Sequence, residues 1–138
     1  MCFIHISNGI SSRSGAEFFG RLTEFMPFDI DAIQTDNGSE YEKEFKMALH
    51  AAGVEHYLTY PNCPKQNARL ERKSQTSEVK FWNYREGYSV ADLNEVASEW
   101  NHTYNHVRPH QSLEYLTPAE YLKKWNQVSK HREQVPTM

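Results

Sequence analysis

The 138-residue sequence predicts an α/β fold built around a parallel strand–helix–strand unit. Residues 29–36 and 54–60 read as strands, the first with Ile30 and Ile33 as its apolar positions. Between them, residues 40–52 carry Phe45, Ala48, Leu49 and Ala52 at helical spacing. Further helical stripes follow residue 89.

Cys2–Ile6 reads as a short strand, and Ser7-Asn8-Gly9 as the turn after it. Residues 14–26 place Phe18, Phe19, Leu22, Phe25 and Met26 at helical spacing behind a Ser14 cap. Pro27 disfavours helix in the residue before it and ends that element. Asn37-Gly38 breaks the strand that follows, and Gly53 suits the left-handed turn after the 40–52 helix. Pro61-Asn62-Cys63-Pro64 stops the second strand. Residues 67–85 have helical composition, but Glu71 to Glu78 contain no apolar residue. That face meets solvent or a polar partner such as a nucleic-acid backbone. Residues 90–107 restore a stripe of Leu93, Val96, Ala97, Trp100, Tyr104 and Val107, with Ser89 as cap and Asp92 near the helix start. Thr117-Pro118-Ala119-Glu120 then sets a cap, a proline at the first helical position and an acid at the third. This last helix is expected to run to about Trp125, leaving residues 128–138 as a polar, flexible tail.

The length supports one domain, expected over residues 1–127, with a thin, aromatic-rich core given 38% hydrophobic residues and a mean hydropathy of -0.79. A net charge of -3 argues against a free-standing DNA binder and leaves room for a local basic patch. The two cysteines, Cys2 and Cys63, form no disulfide framework, which fits a reducing cytosol. No apolar run approaches the ~20 residues that span a bilayer. Residues 1–10 lack the pattern of a signal peptide, so a cytoplasmic location is expected.

Chemistry points first to a carboxylate pair. Asp36 ends the first strand of the strand–helix–strand unit, and Glu71 stands 35 positions later on the polar helix. A strand-end acid faces the crevice at the carboxyl edge of a parallel sheet, where ligands bind. With a second carboxylate nearby, Mg²⁺ and phosphodiester chemistry come within reach. The bland alternative is an acid capping a turn and another on a solvated helix. Lys65, Arg69, Arg72, Lys73, Lys80 and Arg85 cluster around the polar helix, followed by Phe81, Trp82 and Tyr84. A phosphate backbone fits such a face, and so does a helix laced with charge pairs, since Glu71, Glu78 and Glu86 offset the bases. His102 and His106 stand four apart and suit Zn²⁺ or nothing beyond a polar helix end. No P-loop, nucleophile elbow or CxxC pattern occurs.

Three stretches, Ile33-Gln34-Thr35-Asp36-Asn37-Gly38-Ser39-Glu40, then Pro61 to Arg72, then Tyr104 to Leu122, resemble the catalytic core of bacterial insertion-sequence transposases and retroviral-type integrases, the RNase H-like DDE recombinases. The match covers about residues 14–125. By this resemblance Asp36 and Glu71 are the second and third acids of a triad that binds Mg²⁺ or Mn²⁺ for DNA integration. Asn37 and Gly38 form the loop beside the acid. Lys65, Gln66 and Asn67 lie next to the site, and Arg72 touches phosphate or steadies Glu71. Tyr104, Asn105, Arg108, Pro109 and His110 dock the last helices.

The departures are as informative. The family's first acid sits on an upstream strand, whereas Glu17 and Glu24 lie on the predicted helix and Asp29 and Asp31 are in the lead-in to the same strand as Asp36. Ala68 replaces the usual glycine after Asn67, and Lys73 replaces an aromatic after Arg72. The expectation is therefore a partial RNase H-like fold lacking its first strands, with C-terminal helices. Such a chain is inactive alone. Its expected partners are DNA and a homo-oligomer or full-length transposase subunit, and no membrane. The competing reading is a non-catalytic module that binds DNA or a transposase subunit.

Overall fold

The computed structural model describes residues 1–59 and 88–133. They fall into two compact units. One comprises His5–Val90 and the other Met1–Ile4 with Ala91–Met138.

In the first unit, helix α1 (Ser12–Phe25) starts from a capping box. The cap is Ser11, one turn before the predicted Ser14. The Ser14 N–H donates to Ser11 Oγ at 3.1 Å and the Ser11 N–H to Ser14 Oγ at 2.9 Å. Met26, extended ahead of Pro27, ends the helix. Strand β1 (Ala32–Thr35) leads through a 3₁₀ turn (Ser39–Tyr41) to α2 (Lys43–Ala52) and β2 (Glu55–Leu58). The two strands run parallel, with Ala32 opposite Glu55 and Thr35 opposite Leu58. The predicted strand–helix–strand unit is present, with shorter strands than expected. Gly53 turns the chain at φ 68°, where its N–H reaches the carbonyls of His50 and Leu49.

The core of this unit is small. Phe19, Phe45 and Leu49 are buried, with Ile33, Tyr41, Ala48 and Val54 packed on them. Phe45 sits at its centre and meets the rings of Phe19, Tyr41 and His56 edge-on. Burying Phe45 and Leu49 contributes roughly 1.5–3 kcal/mol each. Ala52, expected to face inward, is exposed as the last residue of α2.

In the second unit, α3 (Val90–His102) passes into a π-helical turn (Thr103–Val107), closed by the Arg108 N–H on the Thr103 carbonyl at 2.8 Å. Arg108 is extended, as a residue before proline prefers, and the helix stops there. The wider turn shifts the phase of the helix, and Val107 emerges 60% exposed. A compact loop with a short 3₁₀ turn (Gln111–Leu113) follows, pinned by a bridge between His110 and Leu116. Helix α4 (Pro118–Glu133) carries the predicted cap: Thr117 N–H to Glu120 Oε2 at 2.8 Å and Glu120 N–H to Thr117 Oγ1 at 3.3 Å. It continues well beyond Trp125, because nothing in 126–133 is proline or glycine.

The strand expected at residues 2–6 does not form. Side-chain amides take the place of a neighbouring strand. Asn105 accepts from the Cys2 N–H at 2.7 Å and donates to the Cys2 carbonyl at 2.6 Å. Asn101 does the same for Ile4, at 2.8 and 2.9 Å.

Candidate functional site

Asp36 follows β1 directly, at the carboxyl end of the parallel pair. Its side chain is exposed, and Oδ1 accepts the Gly38 N–H at 3.0 Å. This local turn is why Asn-Gly follows the acid: the chain folds back over the carboxylate and enters the Ser39–Tyr41 turn at once. Asn37 is exposed beside it. A methyl group on Gly38 would lie 2.5 Å from Glu40 Oε2, so the Glu40 carboxylate sits against this same loop.

Neighbouring groups report on the field there. The half-buried Tyr41 hydroxyl is pushed above its ordinary pKa by burial first, then by the Glu40 and Asp36 carboxylates. On the residue before Asp36, Thr35 Oγ1 lies 2.8 Å from His56 Nε2. Thr59 donates its N–H and hydroxyl to the Thr35 carbonyl at 2.8 and 3.0 Å, and accepts from Gln34. Burial, then the Lys46 charge, holds His56 below the usual imidazole pKa. Tyr41 and His56 carry no signal of their own in the sequence, and Glu40 none beyond its place in the Ile33–Glu40 stretch. Glu40 and Tyr41 are placed by the turn, and His56 by the register that sets it across from Ile33.

A carboxylate fixed at one oxygen and open to solvent is a hard oxygen ligand of the kind Mg²⁺ and Mn²⁺ take. Asp36 supplies one carboxylate of this kind. Among the described residues no three His, Cys, Asp or Glu side chains come together as a metal site. Glu71, Lys65, Gln66, Asn67 and Arg72 lie outside the described residues. So do Cys63 and the polar helix of residues 67–85. Of the other described acids upstream of Asp36, Glu17 and Glu24 lie on α1 as expected, whereas Asp29 and Asp31, within the strand expected at residues 29–36, lie ahead of the shorter β1.

His102 and His106 stack with ring centroids 5.1 Å apart on the exposed side of α3 and its π turn. Two imidazoles alone do not complete a structural zinc site, which takes four ligands. In the 104–110 stretch, the Arg108 guanidinium lies 5.9 Å from the Tyr104 ring centroid, and His110 packs on that ring at 4.5 Å. No helix among the described residues is long and apolar enough to cross a membrane.

Comparison with known proteins follows the same residues. The model of the integrase core domain matches residues 52–118. An uncharacterized 39.2 kDa protein of insertion element IS476 from Xanthomonas euvesicatoria is 33% identical over 119 residues, covering 86% of this chain and 34% of its own length. A 31.7 kDa protein of insertion element IS407 from Burkholderia multivorans is 30% identical over 122 residues, covering 88% and 44%. An ORF3 protein of Spiroplasma virus SpV1-C74, named as an integrase, is 27% identical over 106 residues. The chain spans between about a third and under half of the two insertion-element proteins. With these matches and the strand–helix–strand unit that carries Asp36, the chain belongs to the integrase and transposase catalytic-core family.

Proposed function

We propose that this chain is part of the DNA-handling core of a transposase, acting in DNA integration by phosphodiester cleavage and strand transfer. The observation that carries this is Asp36: an exposed carboxylate, held by the Gly38 N–H, at the carboxyl end of a parallel strand in an integrase-family chain. Asp36 and Glu71 are the two acids this chain contributes to a site for Mg²⁺ or Mn²⁺. Such an ion, held by these two acids, would supply activation of water or of a DNA 3′-hydroxyl and would offset charge on the phosphate. The protein's own part is positioning. The Asp36–Gly38 turn fixes one ligand, and Asn37 and Gly38 line the approach. Lys65, Gln66 and Asn67 bind the DNA backbone, and Arg72 neutralises phosphate or orients Glu71.

The chain alone is inactive in this reading, because a two-acid site loses charge stabilisation that the reaction requires. Glu17 and Glu24 sit on a helix and Asp29 and Asp31 ahead of β1, so none of them replaces a strand-borne first acid. The test is nicking of supercoiled DNA by the purified chain in Mg²⁺ or Mn²⁺, beside Asp36→Asn and Glu71→Gln. No nicking is expected. Nicking that both substitutions abolish would overturn the inactivity and keep the site.

A second reading is a non-catalytic module that binds DNA or a transposase subunit. Among the described residues β1 and β2 each pair on one side only, which leaves a strand edge suited to another chain. Salt-dependent DNA binding without cleavage supports the DNA version, and self-association without DNA affinity supports the subunit version.

A further inference from the structure

Asp36 is held at three points. The peptide plane before it is fixed through the Thr35 carbonyl, which accepts the Thr59 N–H at 2.8 Å and the Thr59 hydroxyl at 3.0 Å. The plane after it is fixed through the Asp36 carbonyl, which accepts the Thr35 hydroxyl at 2.9 Å. The carboxylate is fixed by the Gly38 N–H at 3.0 Å. Setting both flanking planes sets the two soft dihedrals of Asp36, and these aim its side chain. Both planes rest on a threonine hydroxyl, and a hydroxyl has one proton to give. The direction of that proton is therefore part of the geometry of Asp36.

For Thr59 the direction comes from Gln34, whose Nε2 donates to Thr59 Oγ1 at 3.2 Å and leaves the Thr59 proton for the Thr35 carbonyl. For Thr35 the corresponding neighbour is His56, with Nε2 at 2.8 Å from Oγ1. The Asp36 carbonyl can only accept, whereas a ring nitrogen gives or takes a proton according to its tautomer. With the proton on Nε2, the ring donates to Thr35 and Thr35 donates to Asp36. With the proton on Nδ1, Nε2 draws the Thr35 proton to itself, and the Asp36 carbonyl loses its donor. Only the first case makes both contacts hydrogen bonds. Packing places the ring. His56 stands across from Ile33, on the sheet face of Ile33 and Thr35, and meets the core ring of Phe45 edge-on at 5.5 Å. Burial, then the Lys46 charge, lowers its pKa against the opposing Glu42 carboxylate. A neutral ring has a single N–H, so the two tautomers are exclusive.

We infer that His56 is a positioning residue for Asp36, acting through its Nε2–H and the Thr35 hydroxyl. It keeps the Thr35 proton on the Asp36 carbonyl, so that the carboxylate holds one direction. This deepens the reading of Asp36 as a ligand for Mg²⁺ or Mn²⁺ and rests on it for its purpose, while the relay itself rests on the hydrogen-bond geometry. A purely structural part for His56, filling space against Phe45, needs no particular tautomer.

The experiment is nuclear magnetic resonance of the full chain labelled with ¹⁵N. The imidazole nitrogen shifts read the tautomer, and Nε2–H is expected. Water-exchange rates of the Gly38 amide, taken relative to amides of α1, read how firmly the Asp36 turn is held. His56→Leu and Thr35→Val should each speed Gly38 exchange by about threefold or more, and the double variant no further. His56→Gln, whose amide can donate as Gln34 does, should stay within about twofold of the parent. A ring protonated on Nδ1, unchanged Gly38 exchange in either folded single variant, additive effects in the double variant, or no rescue by glutamine would overturn the inference. If His56→Leu does not fold, Thr35→Val and the tautomer decide. Broadening of the Asp36 and Asn37 amides by Mn²⁺, lost in Asp36→Asn, tests the metal reading by itself, since neither the tautomer nor the exchange rates involve the ion.

Discussion

Asp36 combines an exposed carboxylate with a backbone bond that an amide makes equally well. Asp36→Asn is therefore expected to change stability by less than about 0.5 kcal/mol in urea unfolding, as surface changes usually do. Loss of divalent-ion binding, read by calorimetry, would separate its chemistry from its fold. His56 is different, because its ring is partly buried against Phe45 and Thr35. Its folded pKa is lowered, so the unfolded chain binds the proton more readily. The neutral ring contributes stability above the unfolded pKa of about 6.5, and that contribution is lost as pH falls through the lower folded value. Thermal midpoints measured from pH 7.5 down to 5 should fall for the parent and flatten in His56→Gln. Neither His56 nor Tyr41 was legible as a site neighbour, since each is set beside Asp36 or its strand by pairing and turn geometry. The acid itself was legible, because Thr-Asp-Asn-Gly at a strand end has a local physical meaning.

Among the elements, α1 and the Ser39–Tyr41 turn meet at Gly15, where a Cβ would lie 2.3 Å from the Glu40 carbonyl oxygen. Gly15→Ala must push the turn or the helix, and Glu40 beside Asp36 moves with it. A loss of about 1–3 kcal/mol is expected in urea unfolding, the range for overpacking. Gly53→Ala has open space and costs only its left-handed backbone, about 1 kcal/mol. The capping box of α4 was readable from Thr117 and Glu120, and Thr117→Ala should cost about 1 kcal/mol in the same measurement. The 2–6 strand was misread for an identifiable reason. Its run of apolar, strand-prone residues describes an extended segment correctly, but the hydrogen-bond partners of Cys2 and Ile4 are Asn105 and Asn101, about a hundred residues away. The only local hint is that both asparagines keep the phase of Ala97 on an otherwise apolar helix face.

For the whole molecule, a net charge of -3 offers DNA no overall attraction, so the DNA binding proposed above would depend on the basic residues between positions 65 and 85. Lys65→Ala with Arg72→Ala should weaken DNA binding and shallow its salt dependence by about one unit of slope per lost phosphate contact, measured by fluorescence anisotropy across salt. The small cores place a limit on what such variants tolerate. Phe45→Ala, which empties the centre of one unit, should cost about 3–5 kcal/mol and abolish cooperative unfolding. The sequence by itself determined the strand–helix–strand unit, the helix caps and the acid at the strand end. These follow from periodicity and turn chemistry within a few residues of each position. The tertiary structure alone decided that β1 and β2 pair in register, that His56 meets the Thr35 hydroxyl, and that two asparagines replace a strand for Cys2 and Ile4. Those outcomes depend on which buried polar groups find partners, and such partners come from distant parts of the chain that no local pattern encodes.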